Sequence, residues 1–208
     1  MQVTVVTAPT LEPISAAEAK AYARATGTAE DELVGTLITT ARRAVELDTG
    51  RALVGQKVQV LFDSKDIVSP FEIPMPPFIG GALDGSTPTV LTTFKVYDED
   101  DASSDVSGDD YQIVGTGVGT GVGNSFARLI EDGDGWTWGR TYHAAEITYF
   151  AGYGDAAVNV PEDIRTAIKY LVNEMLVNRQ HAVVGTVAGL LPDYVEYLLA
   201  PYRLMTLV

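Results

Sequence analysis

Residues 28–49 read Thr28-Ala29-Glu30-Asp31-Glu32-Leu33-Val34-Gly35-Thr36-Leu37-Ile38, then Thr39-Thr40-Ala41-Arg42-Arg43-Ala44-Val45-Glu46-Leu47-Asp48-Thr49. This stretch decides the fold class. Leu33, Leu37, Ala41, Ala44 and Val45 recur at helical spacing, and Val34 and Ile38 widen the stripe. Three acids in the first turn suit the positive end of a helix dipole. Gly50 follows as a C′ residue. The pattern predicts an amphipathic helix of about 21 residues, roughly 31 Å long. One face of such a helix must be buried against other elements.

Upstream, residues 3 to 7 alternate weakly and predict a short strand, broken by Pro9 and Pro13. Ser15-Ala16-Ala17-Glu18 has the form of a capping box, with a short helix expected to about Thr26 and a stop at Gly27. Downstream of Leu53 the period changes to two. Val58, Val60 and Phe62 alternate with Gln59 and Leu61. Pro74, Pro76 and Pro77 forbid helix nearby. Residues 94–97, 111–114, 126–130 and 146–149 predict further strands joined by Gly- and Asp-rich connections. Helix returns at Pro161, with Ile164, Ile168, Leu171, Val172 and Met175 as its stripe. A last helix opens at Pro192 with Val195, Leu198 and Leu199 inside, and Pro201 ends or kinks it.

Helices thus lie at both ends and strands in the middle. The expected fold class is α+β: a helical bundle built from both chain ends, with an inserted β-rich domain. The expected boundaries are 1–52 plus 160–208 for the helical domain and 53–159 for the insertion. The 28–49 and 161–179 helices are expected to pack together as the helical core.

The chain has 208 residues, 46% hydrophobic and 20% charged, enough for a real core. It has no cysteine, so disulfides and thiolate chemistry are excluded. Two histidines, His143 and His181, do not make a Cys/His zinc site in one chain. The N-terminus lacks the basic and apolar regions of a signal peptide. No stretch approaches the ~20 apolar residues that span a bilayer. A soluble chain with no membrane contact is expected. Net charge is −14, which argues against a protein that holds nucleic acid. Residues 63–134 concentrate this charge, with 14 acids against Lys65, Lys95 and Arg128.

No catalytic constellation emerges. The run Gly115 to Gly123 alternates glycine but lacks the Lys and following helix of a phosphate-cradling loop. Asp98-Glu99-Asp100-Asp101 with Asp105, Asp109 and Asp110 lacks the offsets of a calcium loop. Such residues fit a solvated hairpin tip. Trp136 and Trp138 are placed on one face of a strand, as core or as a protein contact. No serine lies in a G-x-S-x-G context, and His143 near Glu146 has no partner motif. No enzyme, metal or cofactor is expected.

Three ordered stretches carry a resemblance. The first is Glu12-Pro13-Ile14-Ser15-Ala16-Ala17-Glu18-Ala19-Lys20 with the Asp31-Glu32-Leu33 helix. The second is Ala41-Arg42-Arg43-Ala44-Val45-Glu46 with Thr49-Gly50-Arg51-Ala52-Leu53. The third is Tyr149-Phe150-Ala151-Gly152-Tyr153-Gly154, then Val160-Pro161-Glu162-Asp163-Ile164 and Leu198-Leu199-Ala200-Pro201-Tyr202-Arg203. In this order and spacing the chain resembles the head-tail connector (adaptor) family of long-tailed phages and gene-transfer particles. The acidic, Gly-rich insertion departs most from that pattern.

The resemblance implies a structural adaptor. It would form a ring, usually twelvefold, joining the portal of a filled head to a stopper or tail-completion protein. DNA would pass through without sequence-specific binding. The expected place is the head-tail interface of a virion, assembled in the host cytoplasm. Members commonly grip the portal with terminal segments, which makes Tyr202, Arg203, Leu204, Met205, Leu207 and Val208 candidate portal-binding residues. Asp98, Glu99, Asp100, Asp101, Gly117, Gly119 and Gly121 are candidates to face the channel or tail. The alternative reading is a protein- or carbohydrate-binding β module of a virion or cell-surface assembly.

Overall fold

The computed structural model describes residues 1–83, 90–115, 126–132, 136, 138–178 and 192–204. The fold is α+β. In chain order the elements are β1 (Gln2–Thr7), α1 (Ala16–Ala23), α2 (Asp31–Thr49), β2 (Gln56–Phe62), β3 (Phe71–Glu72), β4 (Phe78–Gly80) and β5 (Thr93–Tyr97). There follow β6 (Ser103–Asp105), β7 (Tyr111–Val114), β8 (Arg128–Glu131), β9 (Ala145–Ala151), α3 (Glu162–Val177) and α4 (Asp193–Leu199). A 3₁₀ turn, Ala200–Tyr202, ends the last helix.

Ser15 caps α1 as its sequence requires. Its hydroxyl accepts from the Glu18 amide at 3.2 Å, and the Glu18 carboxylate accepts from the Ser15 amide at 2.8 Å. The Ser15 backbone hydrogen bond, with Ser15 Oγ and Arg165, holds the Glu18 carboxyl below its ordinary value. Glu18 therefore stabilises the fold above its ordinary range, and that contribution is lost as pH falls through its depressed value. Ser15→Ala is expected to cost about 1 kcal/mol at neutral pH. The difference from wild type in urea unfolding should shrink below about pH 4, where Glu18 protonates in the unfolded chain and then in the folded one. The end of α1 differs from expectation. Arg24, in the left-handed region, closes the helix, three residues before Gly27.

α2 starts at Asp31, three residues later than Thr28. Its buried face is Val34, Ile38, Ala41, Arg42, Val45 and Thr49. Leu33 is exposed and Leu37 half-buried. Val34, Ile38, Ala41 and Val45 of the expected stripe are buried and Leu37 packs half-buried against the core, so the packing partner centres the stripe on Val34 and Ile38 and leaves Leu33 at its exposed edge. That partner is α3, whose Ile164, Ala167, Ile168, Leu171 and Val172 are buried. Val195 and Leu199 of α4 and Leu53, Val54 and Tyr153 complete the same core.

The main sheet runs β1-β2-β9-β5-β6, with β4 also pairing with β9. Every pairing in it is antiparallel. β2 buries Gln56, Val58, Val60 and Phe62 in strict alternation, which places Val58 opposite Tyr149 and Val60 opposite Ile147. A second sheet, β3-β8-β7, covers this face, with Leu129 and Ile113 joining Phe62, Ile147 and Tyr149 in a second core. β1 belongs to the main sheet, although residues 1–52 were assigned to the helical part. The sheet offered β2 a partner edge, and no short-range pattern in β1 records that pairing. Trp136 and Trp138 lie in no strand. They pack against the β core with ring centres 6.1 Å apart, and Trp136 lies 5.3 Å from Phe94.

Candidate functional site

Three local arrangements stand out, and two of them coincide with the ordered motifs of the sequence. The first is the seam between the helical and β cores. Arg42, buried on α2, donates from Nε to Glu12 at 2.7 Å and from Nη1 to Glu46 at 2.8 Å. Glu46 also accepts from the Leu53 amide at 3.1 Å and Gln56 Nε2 at 3.0 Å. Burial pushes the Glu46 carboxyl above its ordinary value, and Arg42 and the Leu53 amide oppose that push. One carboxylate thus ties the end of α2 to the start of β2. Arg165 of α3 makes the matching tie to the first motif, donating to the Pro13 carbonyl at 3.0 Å and pairing with Glu18.

The turn after β9 closes the same seam. The Gly55 amide donates to the Gly154 carbonyl at 2.8 Å, and the Gly152 amide donates to the Pro77 carbonyl at 2.8 Å. Gly152 has φ of +128°, and a Cβ there would lie 2.5 Å from the Val54 carbonyl carbon.

The second arrangement seats the C-terminal segment. Tyr202 is buried, and its hydroxyl donates to Asp163 at 3.1 Å. Burial, together with that hydrogen bond, pushes the phenol up to about 12. Its carbonyl accepts from Nε of the fully buried Arg51 at 2.6 Å. Burial lowers the Arg51 guanidinium from its ordinary value. Arg203 grips Asp48 with two hydrogen bonds of 2.9 and 2.8 Å. The Leu204 amide donates to the Thr49 carbonyl at 3.1 Å, and its side chain lies over Gly50. So Tyr202, Arg203 and Leu204 are held by their own chain at the end of α2. Met205, Leu207 and Val208 lie outside the described residues.

The third arrangement is the acidic tip between β5 and β6. Asp98 Oδ1 accepts from the Asp100 and Ala102 amides at 3.0 and 2.8 Å, which shapes the turn. Glu99, Asp100 and Asp101 project from it and are exposed. Arg140 pairs with Asp101, and its guanidinium lies 4.8 Å from the Tyr97 ring centre. His143 stacks on Tyr97, and Glu146 accepts from the Tyr97 hydroxyl at 2.9 Å. The tip is far in sequence from the C-terminal seat, and no described contact joins them. Gly117, Gly119 and Gly121 lie outside the described residues.

Sequence reasoning found Tyr202, Arg203 and the acidic tip as features. It missed Arg51, Asp48 and the Arg42–Glu46 pair as interacting groups. The only available signal was two arginines inside or beside an otherwise apolar helix stripe. Among the described residues, no group of His, Asp or Glu forms a metal-binding cluster. No helix among them is long and apolar enough to cross a membrane.

No protein-family model matches the sequence, and no curated protein matches it by sequence. Solved structures do match. A chain from the neck of an empty GTA particle computed with C6 symmetry aligns over 100% of this chain and 98% of its own, at 20% identity and TM-score 0.78. A chain of the virion of a native gene transfer agent (GTA) particle aligns over the same shares at 19% identity and TM-score 0.76. A chain from the neck of a native GTA particle computed with C12 symmetry does so at 18% identity and TM-score 0.70. From end to end, this chain has the fold of gene transfer agent neck and virion chains, consistent with the head-tail connector family its ordered motifs resemble.

Proposed function

We propose that this chain is a structural head-tail adaptor. Twelve copies form a ring that joins the portal of a phage-type head to a stopper or tail-completion protein and continues the DNA channel. The observation that carries this reading is the end-to-end likeness to neck chains of particles computed with C6 and C12 symmetry. In this reading the helices form the ring-building bundle, and residues 53–159, joined by β1, form the inserted β domain. The net charge of −14 suits a conduit, because like charge on wall and phosphate prevents sticking as DNA passes. The acidic tip, Asp98 to Asp101, faces the channel or tail. Assembly takes place in the host cytoplasm, and the role is non-catalytic.

The C-terminal segment is the portal grip. Tyr202, Arg203 and Leu204 tether it at the end of α2, and Met205, Leu207 and Val208 supply the apolar anchors. Each fully buried Leu is worth about 1.5–3 kcal/mol. Repetition around a ring turns a weak tail into a strong joint. Deleting residues 205–208 is expected to leave the melting temperature unchanged and to abolish attachment to portal-containing heads. Normal attachment by the truncated protein would refute the grip. Light scattering on the purified chain and symmetry analysis of assembled necks read the ring itself. A neck in which the chain is present as single copies would refute the adaptor reading.

A further inference from the structure

The main sheet ends in two open edges, and they differ in kind. β1 forms one edge, with no partner beyond it among the described residues. All six of its residues are exposed, with Val3, Val5 and Val6 at 36%, 40% and 54%. Five of the six are β-branched, and residues 2–11 carry no charged side chain in a protein of net charge −14. Edge strands are ordinarily protected by Lys, Pro or shortness. β1 has none of these, so its row of free amides and carbonyls is a template for another strand.

The opposite edge is β6, short, exposed and acidic. Asp105 lies on it, and the Asp98–Asp101 turn adjoins it. That end carries five acids against Lys95 and Arg140. The β1 end is close to neutral overall. Arg43 is exposed on α2 beside Val5 and Lys57 lies opposite Thr7, while Arg42 is taken up by Glu12 and Glu46 and the N-terminal ammonium by Asp66. Since all pairings are antiparallel, β1, β9 and β6 run in the same direction. A neighbour's β6 would therefore continue the sheet past β1 as a parallel strand.

We propose that β1 of one copy pairs with β6 of the next, so that the sheet passes from subunit to subunit. The inference rests on the ring reading and names a further contact between its copies, beside the helical bundle. A contact between two different patches of one chain is heterologous, and repetition of it closes a ring when the rotation between copies closes. A second copy is the occupant because in a ring the neighbour presents its own open edge, β6, with free hydrogen-bonding groups, and its exposed Asp105 can meet Arg43 or Lys57 beside β1. With three residues in β6 each joint is weak singly, and ring closure multiplies it.

The absence of cysteine makes the test direct. Within one chain the two edges are four strand spacings apart, about 19 Å. That exceeds the roughly 7 Å Cα separation a disulfide spans, so any cross-link between them joins two copies. The double variant Val5→Cys/Ser104→Cys, with Val3→Cys/Ser104→Cys as a second register, is oxidised in assembled particles. We expect a ladder of covalent dimers, trimers and higher multimers that requires both cysteines. An intact ring with no ladder in either register overturns the edge pairing and leaves the adaptor reading standing. Dimers formed as readily by Val5→Cys alone overturn it in favour of β1 meeting β1. Particles without any ring of this chain overturn both readings. In the free protein, Val5→Glu should weaken association at least tenfold with an unchanged circular dichroism spectrum, and Asp105→Lys on the same chain should restore it. Association unchanged by Val5→Glu would also overturn the proposal.

Discussion

Gly152→Ala is expected to destabilise the protein by about 2–6 kcal/mol, the sum of an overpacking cost and a backbone strain cost of about one to three kcal/mol each. Gly152 sits where β9 leaves the β core and the chain enters the helical core. Its φ of +128° is open to glycine and strained for any L side chain. A Cβ would also meet the Val54 carbonyl carbon at 2.5 Å, the Val54 oxygen at 2.6 Å and the Gly55 nitrogen at 2.7 Å. These are backbone atoms of the strand entry on the other side of the seam, so no side chain can swing aside. Relief requires Val54 to move, and Val54 is buried in the helical core. Urea unfolding with a fixed slope is the measurement. A loss below 1 kcal/mol would mean that the seam is loose and that the two cores are coupled elsewhere. Gly108→Ala, on an exposed turn with nothing near its Cβ, is the matched control.

Arg42→Ala is expected to cost about 3–5 kcal/mol at neutral pH, because removing one partner of a buried pair leaves a buried charge behind. Here the remaining charge is Glu46, nine-tenths covered, which still binds the Leu53 amide and Gln56 but loses the cation that pairs with it among the described residues. The sign of the pH dependence follows from the direction of its shift. Burial already raises the Glu46 carboxyl, and loss of Arg42 raises it further. A group whose folded value lies above its unfolded one favours the fold when protonated, and that advantage is lost as pH rises through the folded value. The variant should therefore lie closest to wild type at acid pH and fall away as pH rises above the ordinary glutamate range. Arg42→Ala/Glu46→Gln should recover part of the loss at neutral pH. A pH-independent deficit, unrelieved by the second substitution, would assign the effect of Arg42 to packing of its aliphatic stem.

Both substitutions fall within motifs that carried the resemblance to head-tail connectors. The structure gives those motifs a common physical reason. Glu12, Arg42, Glu46 and Gly152 lie along the seam where helices and sheet join, and Arg165 ties α3 to the start of α1. Under the proposed ring reading, a subunit would transmit its position from the helical part to the β part without play. A seam closed by a buried ion pair and by backbone-to-backbone contact across a glycine resists such movement, since neither can slide without breaking a hydrogen bond.

Much of this architecture was legible from the residues alone. The change from period 3.6 to period 2 near Leu53 and back at Pro161 separated helix from strand, because each period answers to local geometry. The capping box at Ser15 and the alternation of Val58, Val60 and Phe62 are short-range patterns, and they held residue for residue. What sequence could not decide was long-range. Where the centre of the α2 stripe lies, and that Leu33 falls at its exposed edge, depended on which face α3 would meet, since the period fixes the stripe but not its middle. β1 joined β2 across more than 50 residues, and strand partners are chosen by open edges rather than by local pattern. The roles of Arg51 and Asp48 were invisible for the same reason. A charged residue reads as solvent-facing until the fold closes over it, and only the tertiary structure brought the Tyr202 carbonyl to Arg51 and the Arg203 guanidinium to Asp48.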